Sequence, residues 1–436
     1  MLIASAGEKY CLGWVRSFSY FPMKINRIAL LSGALLVSGT FYLPAIAETD
    51  GAINSPISAE KTSSTHADLQ TLRKAKPMPR QKGNQKPGFA SSVKGRSGIS
   101  PRSSDGQKIL SSKGRDSRAW GSFGIPYTST RVRAGYSKGI NSSKRGYLTG
   151  TYPYRAAGKL TFKSGSSVFS CSAQLIGPSI LITAAHCVGP FGGKKFYTDF
   201  TYYPALYRDG AETSAPYGTW KGLTATLPTS WYNGTDSGSG ACRNNDVAVI
   251  ALQKQKGHFL GKTTGWYYYS WGPYSFRSNS KTKRSTAAVT TLGYPGLLDR
   301  GGVMQRQDGP AYLANCGGKA DQIYQGSNFT GGSSGGAWLV NFDTASVGVP
   351  SFSGGASKGS QSTQAVVGVT SWGASDPNNP KDNWSSRLGK NKEFPKSSYQ
   401  NSVSKMVGAG NIGALLNSVC AVKLGGKSLY SLGYCK

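Results

Sequence analysis

At 436 residues the chain exceeds one average domain, and 58 glycines with long Ser-rich stretches exclude a reading in which all of it is core. Its 51 Lys and Arg against 19 Asp and Glu give a net charge of +32. That excess draws a protein to anionic surfaces or keeps an exported one soluble, and it says nothing about fold. No internal repeat of about 20–50 residues recurs, which sets solenoids and propellers aside.

The first organised feature is an export signal. Met23 opens the basic stretch M-K-I-N-R, an apolar run follows from Ile28 to Leu43, and Ala45-Ile46-Ala47 supplies the small residues of a cleavage site before Glu48. Translation is therefore expected to begin at Met23, with residues 1–22 a non-translated extension and 23–47 a signal peptide. No other apolar run approaches the roughly 18 residues of a membrane span, so the mature protein is expected to be secreted or periplasmic, with no transmembrane segment. Residues 48–118 are poor in aromatics and rich in Ser, Gly, Pro, Lys and Arg. Such a segment buries too little apolar surface to offset its ordering entropy, and it reads as a disordered basic tether or a pro-segment.

From Ala119 the texture changes, and residues 119–436 read as the folded domain. Short β-branched and aromatic runs alternate with turn residues: 154–162, 172–177, 179–185, 246–252, 287–294 and 365–372. Many short strands with turn signals between them predict an all-β sandwich or barrel. Helical spacing enters only at 402–419. The aromatic-basic run at 265–277, with K-T-K-R at 281–284, reads as a strand packing on the barrel, or else as a surface for an anionic polymer. Without Cys11, which precedes the cleavage site, six cysteines remain: Cys171, Cys187, Cys242, Cys316, Cys420 and Cys435. An even set in an exported chain predicts three disulfides of open connectivity, and no C-x-x-C spacing marks a metal site, so no metal is expected.

Three histidines are present. His66 lies in the low-complexity segment, and His258 follows a predicted turn at 254–257. His186 ends a strand-like run as L-I-T-A-A-H-C. The motif T-A-A-H-C resembles the histidine signature of trypsin-like serine proteases. G-G-S-S-G-G at 331–336 is similar to that family's nucleophile loop, N-N-D-V-A-V-I-A-L at 244–252 to its aspartate strand, and Ser371-Trp372-Gly373 to its substrate-aligning strand. The order His, Asp, Ser is the chymotrypsin one, not that of subtilisin or the α/β-hydrolases. The resemblance covers roughly 119–420. It is nearest the glutamyl-endopeptidase branch, through S-T-R-V (129–132), T-Y-P-Y-R-A-A (151–157), C-S-A-Q-L-I-G-P (171–178) and T-L-G-Y-P-G (291–296).

The resemblance implies two six-stranded antiparallel barrels with a C-terminal helix. It implies a triad of His186, Asp246 and Ser334, an oxyanion hole made by the amides of Gly332 and Ser334, and no cofactor. It also implies a histidine-loop disulfide, Cys171–Cys187. A 15-residue gap (435 − 420) suggests Cys420–Cys435 as a terminal loop, and Cys242–Cys316 follows by subtraction. The expected partner is a protein or peptide substrate, acidic ones included, with no specific nucleic acid and a monomeric enzyme. Three positions depart from the family. Ser333 replaces the aspartate of trypsin that receives the new N-terminus. Thr370 replaces the histidine with which the glutamyl branch recognises Glu. Asn328 replaces the aspartate that selects Lys or Arg. A polar, uncharged primary pocket is expected, with Asn328, Thr370, Ser371, Trp372 and Gly373 as substrate-binding residues. The alternative from another class is an inactive protease fold that binds anionic surfaces or partners.

Overall fold

Runs of Val, Ile, Thr, Tyr and Phe broken by Gly, Ser and Pro favour short paired strands over helices. The computed structural model describes residues 48–49, 51–59, 61, 65–79, 126–132, 148–209, 212–238, 240–271, 277–278, 285–315, 321–342, 364–373, 382–399 and 408–435. All lie in the unit Pro44–Lys436. The expected signal peptide, Cys316 and most of the basic segment fall outside the described residues.

The chain begins with β1 (Glu48–Thr49), β2 (Ala52–Asn54), a helix at Thr65–Lys74 and β3 (Lys76–Pro77), then β4 (Thr128–Arg131). Next come β5 (Ala157–Ser164), β6 (Ser167–Leu175), β7 (Ile180–Thr183) and β8 (Thr198–Pro204). The hairpin β9 (Tyr207–Asp209) and β10 (Glu212–Ser214) precedes β11 (Trp220–Pro228) and β12 (Ala248–Leu252). After the short β13 (Tyr268–Tyr269) and β14 (Arg277–Ser278) come β15 (Ser285–Gly293), β16 (Gln305–Asn315) and β17 (Asp321–Gly326). Then follow β18 (Ala337–Val340), β19 (Ala365–Gly373) and β20 (Asp382–Arg387), and a helix at Gly410–Ala421.

Two sheets close on themselves. The first runs β11-β12-β7-β6-β5-β8 and returns to β11 through Trp220 opposite Tyr202. The second runs β15-β18-β19-β20-β17-β16 and returns to β15 through an eight-residue ladder from Thr286–Tyr312 to Gly293–Gln305. Each is a six-stranded antiparallel barrel, which leaves no open edge among those strands. Two six-stranded barrels and a C-terminal helix are the fold expected from the sequence.

The helix begins at Gly410 rather than at Ser402. The six strand-like runs all become strands, with ends displaced by at most five residues; Tyr154–Ala156, for example, turns as a 3-10 helix before β5. His258 sits in the expected turn, bonded through its backbone to Gln255. In the aromatic run, β13 pairs in parallel with β19 and Tyr267 is buried, while Trp266 and Tyr268 stay exposed.

The described part of the basic segment is a strap docked on the first barrel. β2 pairs with β11 and buries Ala52 and Ile53, and the amides of Ser55 and Ser58 donate to the carbonyls of Ala225 and Leu223 at 2.8 and 2.7 Å. The helix at Thr65–Lys74 buries Leu72. Its Asp68 accepts the Thr219 hydroxyl at 2.5 Å and pairs with Lys221. Composition averaged over 48–118 hides this, because three apolar side chains and one paired carboxylate suffice to anchor backbone that the barrel already satisfies. No helix among the described residues is long and apolar enough to cross a membrane.

Candidate active site

β7 ends at Thr183, and two fully buried alanines carry the chain into a 3-10 turn, Ala185–Cys187, that presents His186. Small residues are needed there because β12 lies directly alongside, with Ala248 opposite Thr183. That pairing also delivers Asp246, which sits just ahead of β12. His186 Nδ1 lies 2.7 Å from Asp246 Oδ2, and the His186 backbone N–H donates to Oδ1 at 2.9 Å. Cys187 is bonded to Cys171 on β6, tying the histidine turn to the neighbouring strand.

Ser371, on β19 of the second barrel, donates its hydroxyl to the same Asp246 carboxylate. Burial pushes the Asp246 pKa up, but the His186 charge, the His186 and Ser371 hydrogen bonds and the His186 amide reverse this, leaving it below its ordinary value. Asp246 is therefore a fixed anion that orients one face of the imidazole. His186 Nε2 is buried and has no hydrogen-bond partner among the described residues, and the same is true of Ser334 Oγ. Buried polar atoms are rarely left in that state.

The loop bearing Ser334 is held across the barrels by Ser172 of β6. The Ser172 amide donates to the Ser334 carbonyl at 2.8 Å, and its hydroxyl donates to the Gly332 carbonyl at 2.9 Å while accepting the Tyr294 amide at 2.9 Å. Two glycines permit this approach. A Cβ on Gly335 (φ +79°) would fall 2.0 Å from Thr183 Oγ1, and one on Gly332 (φ +92°) would fall 2.7 Å from the Tyr294 carbonyl. Neither the Gly332 nor the Ser334 amide donates to any group among the described residues. Ser333 points elsewhere, its hydroxyl donating to the Thr330 carbonyl at 2.8 Å.

The expected pocket residues divide. Asn328 keeps a buried Oδ1 with no partner among the described residues. Thr370 is fully buried and spends its hydroxyl on the Gly336 carbonyl and the Trp338 indole N–H, at 3.2 and 3.0 Å. Trp372 is buried with Tyr324 and Trp384, and Gly373 is half-buried. Cys420–Cys435 is bonded, and Cys242 is also in a disulfide. Sequence reasoning missed Ser172 as the brace of the loop that carries Ser334 and Ser371 as a partner of Asp246. Ser371 stood in a quoted motif, but nothing in that motif signals a contact reaching across to the other barrel.

Among the described residues, one grouping of His, Cys and carboxylate donors lies close enough to share an ion: Cys171, His186 and Cys187. Two of the three are joined as a disulfide, which leaves no thiolate, so this set does not fit a metal.

No family model matches the chain. Over 159 residues it is 32% identical to a glutamyl endopeptidase of Bacillus licheniformis, covering 36% of this chain and 42% of that protein. Over 133 residues it is 31% identical to an extracellular metalloprotease of Bacillus subtilis, covering 30% of this chain and 38% of that one. The chain thus spans less than half the length of these curated relatives. Among solved structures, a protease Anisep from Arthrobacter nicotinovorans aligns with 54% of this chain and 91% of its own, at 22% identity and a TM-score of 0.41. A Glu endopeptidase structure aligns with 59% and 91%, at 18% identity and a TM-score of 0.38.

Proposed function

We propose that this chymotrypsin-fold relative of a glutamyl endopeptidase is an exported serine endopeptidase, with His186, Asp246 and Ser334 as its triad. The observation that carries the reading is the pairing of His186 Nδ1 with a buried anionic Asp246, which leaves Nε2 unpartnered, together with an equally unpartnered Ser334 Oγ on a loop braced against the same barrel. A serine hydroxyl becomes a useful nucleophile when an imidazole removes its proton during attack. Here Nε2 takes the Ser334 proton as Oγ bonds to the scissile carbonyl carbon. The carbonyl oxygen becomes an oxyanion facing the amides of Gly332 and Ser334, and Nε2 then protonates the departing amine. Water, deprotonated by the same imidazole, hydrolyses the acyl-serine and restores the hydroxyl. Asp246 keeps the imidazole in the tautomer with Nδ1 protonated and stabilises the imidazolium in each half-reaction.

Asn328 gives the primary pocket a polar and uncharged base, so the preference of this enzyme is not carried over from the relative named for glutamyl bonds. The buried Thr370 hydroxyl is committed within the fold and offers a side-chain carboxylate no histidine-like cation. The test is covalent labelling with a serine-directed phosphonate alongside peptide cleavage. Ser334→Ala is expected to abolish both, whereas Ser333→Ala keeps the label. Labelling that persists in Ser334→Ala would move the nucleophile elsewhere.

A further inference from the structure

A nucleophile has to be reached by its substrate, yet Ser334 is 0% exposed and His186 1%. The strap passes beside the loop that carries Ser334. β3 lies parallel to β6, with Lys76 opposite Phe169 and Pro77 opposite Ser170, and the Met78 amide donates to the Ser170 carbonyl at 2.8 Å. Ser170 stands two residues before Ser172, the brace of the nucleophile loop. The strap also touches that loop directly. A Cβ built on Gly331 would fall 2.7 Å from the Met78 carbonyl oxygen, and one on Gly332 would fall 3.4 Å from Pro77 Cβ. Pro77 packs equally closely on Gly296, whose amide donates to the Gly331 carbonyl at 2.7 Å.

We propose that Lys76–Met78 is an internal blocker, a piece of the chain's own backbone lying in the cleft beside the oxyanion loop where a polypeptide substrate must pass. The proposal rests on the reading of Ser334 as nucleophile. The contact is made by the Met78 amide and carbonyl and by the Pro77 ring, outside the expected primary pocket, so it excludes substrate without depending on the pocket's side-chain preference. Pro77 fixes the local backbone in an extended form and lowers the entropy lost on docking. Upstream, Leu72 in the core and Asp68 bonded to Thr219 and Lys221 hold the blocker at high effective concentration. Activation is then release of the strap, and it needs no ion pair between a new N-terminus and the residue before the nucleophile, a position that Ser333 fills here.

The test uses protein purified with residues 48–79 present, in three forms: unaltered, Met78→Pro and Asp68→Ala. Proline at 78 removes the N–H that Ser170 accepts. Alanine at 68 loosens the strap from its far end and touches nothing near Ser334. The rate of phosphonate labelling of Ser334 is expected to rise about three- to tenfold in Met78→Pro, the range that one lost hydrogen bond supports. A rise is expected in Asp68→Ala also. Labelling of both variants at the unaltered rate would overturn the blocker. Absence of labelling in all three forms would be a different result, removing the nucleophile and the proposal with it.

Discussion

The two barrels are built alike and filled differently. In the first, β7 and β12 are apolar apart from Thr183, and Ile180, Leu181, Ile182, Val249, Ile250 and Leu252 are all fully inaccessible. In the second, fully buried positions include Gln307, Gln325, Ser327 and Ser386. Gln325 accepts the Thr291 hydroxyl at 3.0 Å and donates to the carbonyls of Val289 and Gly309, each at 3.1 Å. Gln307 donates to the Gly326 carbonyl at 2.6 Å and accepts Ser327, which in turn accepts Asn383 at 2.5 Å. Aliphatic packing is non-directional, whereas a polar network holds only if each member meets its partner. The first barrel thus gives His186 and Asp246 dry walls, and the second fixes the register of the strands around the Ser334 loop and the expected pocket by directed bonds.

The sharpest way to break this comparison is to alter what each barrel supplies. Asp246→Asn leaves the packing of the first barrel but removes the anion, and it is expected to lower kcat/KM by about four orders of magnitude at neutral pH, since the wrong tautomer faces the serine. Its melting temperature should move little by comparison, and kinetics with denaturation on one sample check both. Leu181→Ala attacks the aliphatic wall and is expected to cost about 2–5 kcal/mol by urea unfolding, with kcat/KM retained in the folded fraction. Gln325→Leu attacks the polar network, stripping the Thr291 hydroxyl of its acceptor. About 1–3 kcal/mol is expected, with a disproportionate loss of activity as register relaxes around the loop. Equal activity losses in the two core variants would erase the distinction between the barrels.

The same contrast explains what was legible. A buried strand written in Ile, Leu and Val announces itself, so β7 and β12 were readable, and with them His186 and Asp246. A strand such as β16, Gln305–Asn315, carries Gln, Arg, Asp, Gly and Pro, and reads as loop because its burial is satisfied by partners far away in sequence. Glycine-rich residues 331–336 could be read as a nucleophile loop only in the company of the other motifs. The strap was not readable because its few anchoring residues are diluted in a polar segment. Ser172 and the Ser371–Asp246 bond were not readable either, since each depends on which barrel faces which. Local pattern carries no information about that until both barrels close.

The smallest expected effect concerns a tie between the barrels. Lys159, on β5 of the first, is nearly inaccessible, and its Nζ donates at 2.7 Å to the carbonyl of Gly301 in the turn between β15 and β16 of the second. Burial, with a smaller push from the Arg208 charge, lowers its pKa from 10.5 to about 8. Below the folded value both folded and unfolded chains hold the proton, and the cost of burying the ammonium is constant. Above it the folded protein sheds the proton while the unfolded chain keeps it up to the ordinary lysine value. The unfolded state then binds more protons, so stability rises with pH across that window. Between pH 7 and 9 the gain from this group is on the order of 1 kcal/mol. A neutral amine still donates to Gly301, so the tie survives deprotonation. Lys159→Met, which keeps the length but neither titrates nor donates, is expected to flatten the slope of unfolding free energy between pH 7 and 9. An unchanged slope in the variant would assign the pH dependence to other groups and leave Lys159 a hydrogen bond without a titration.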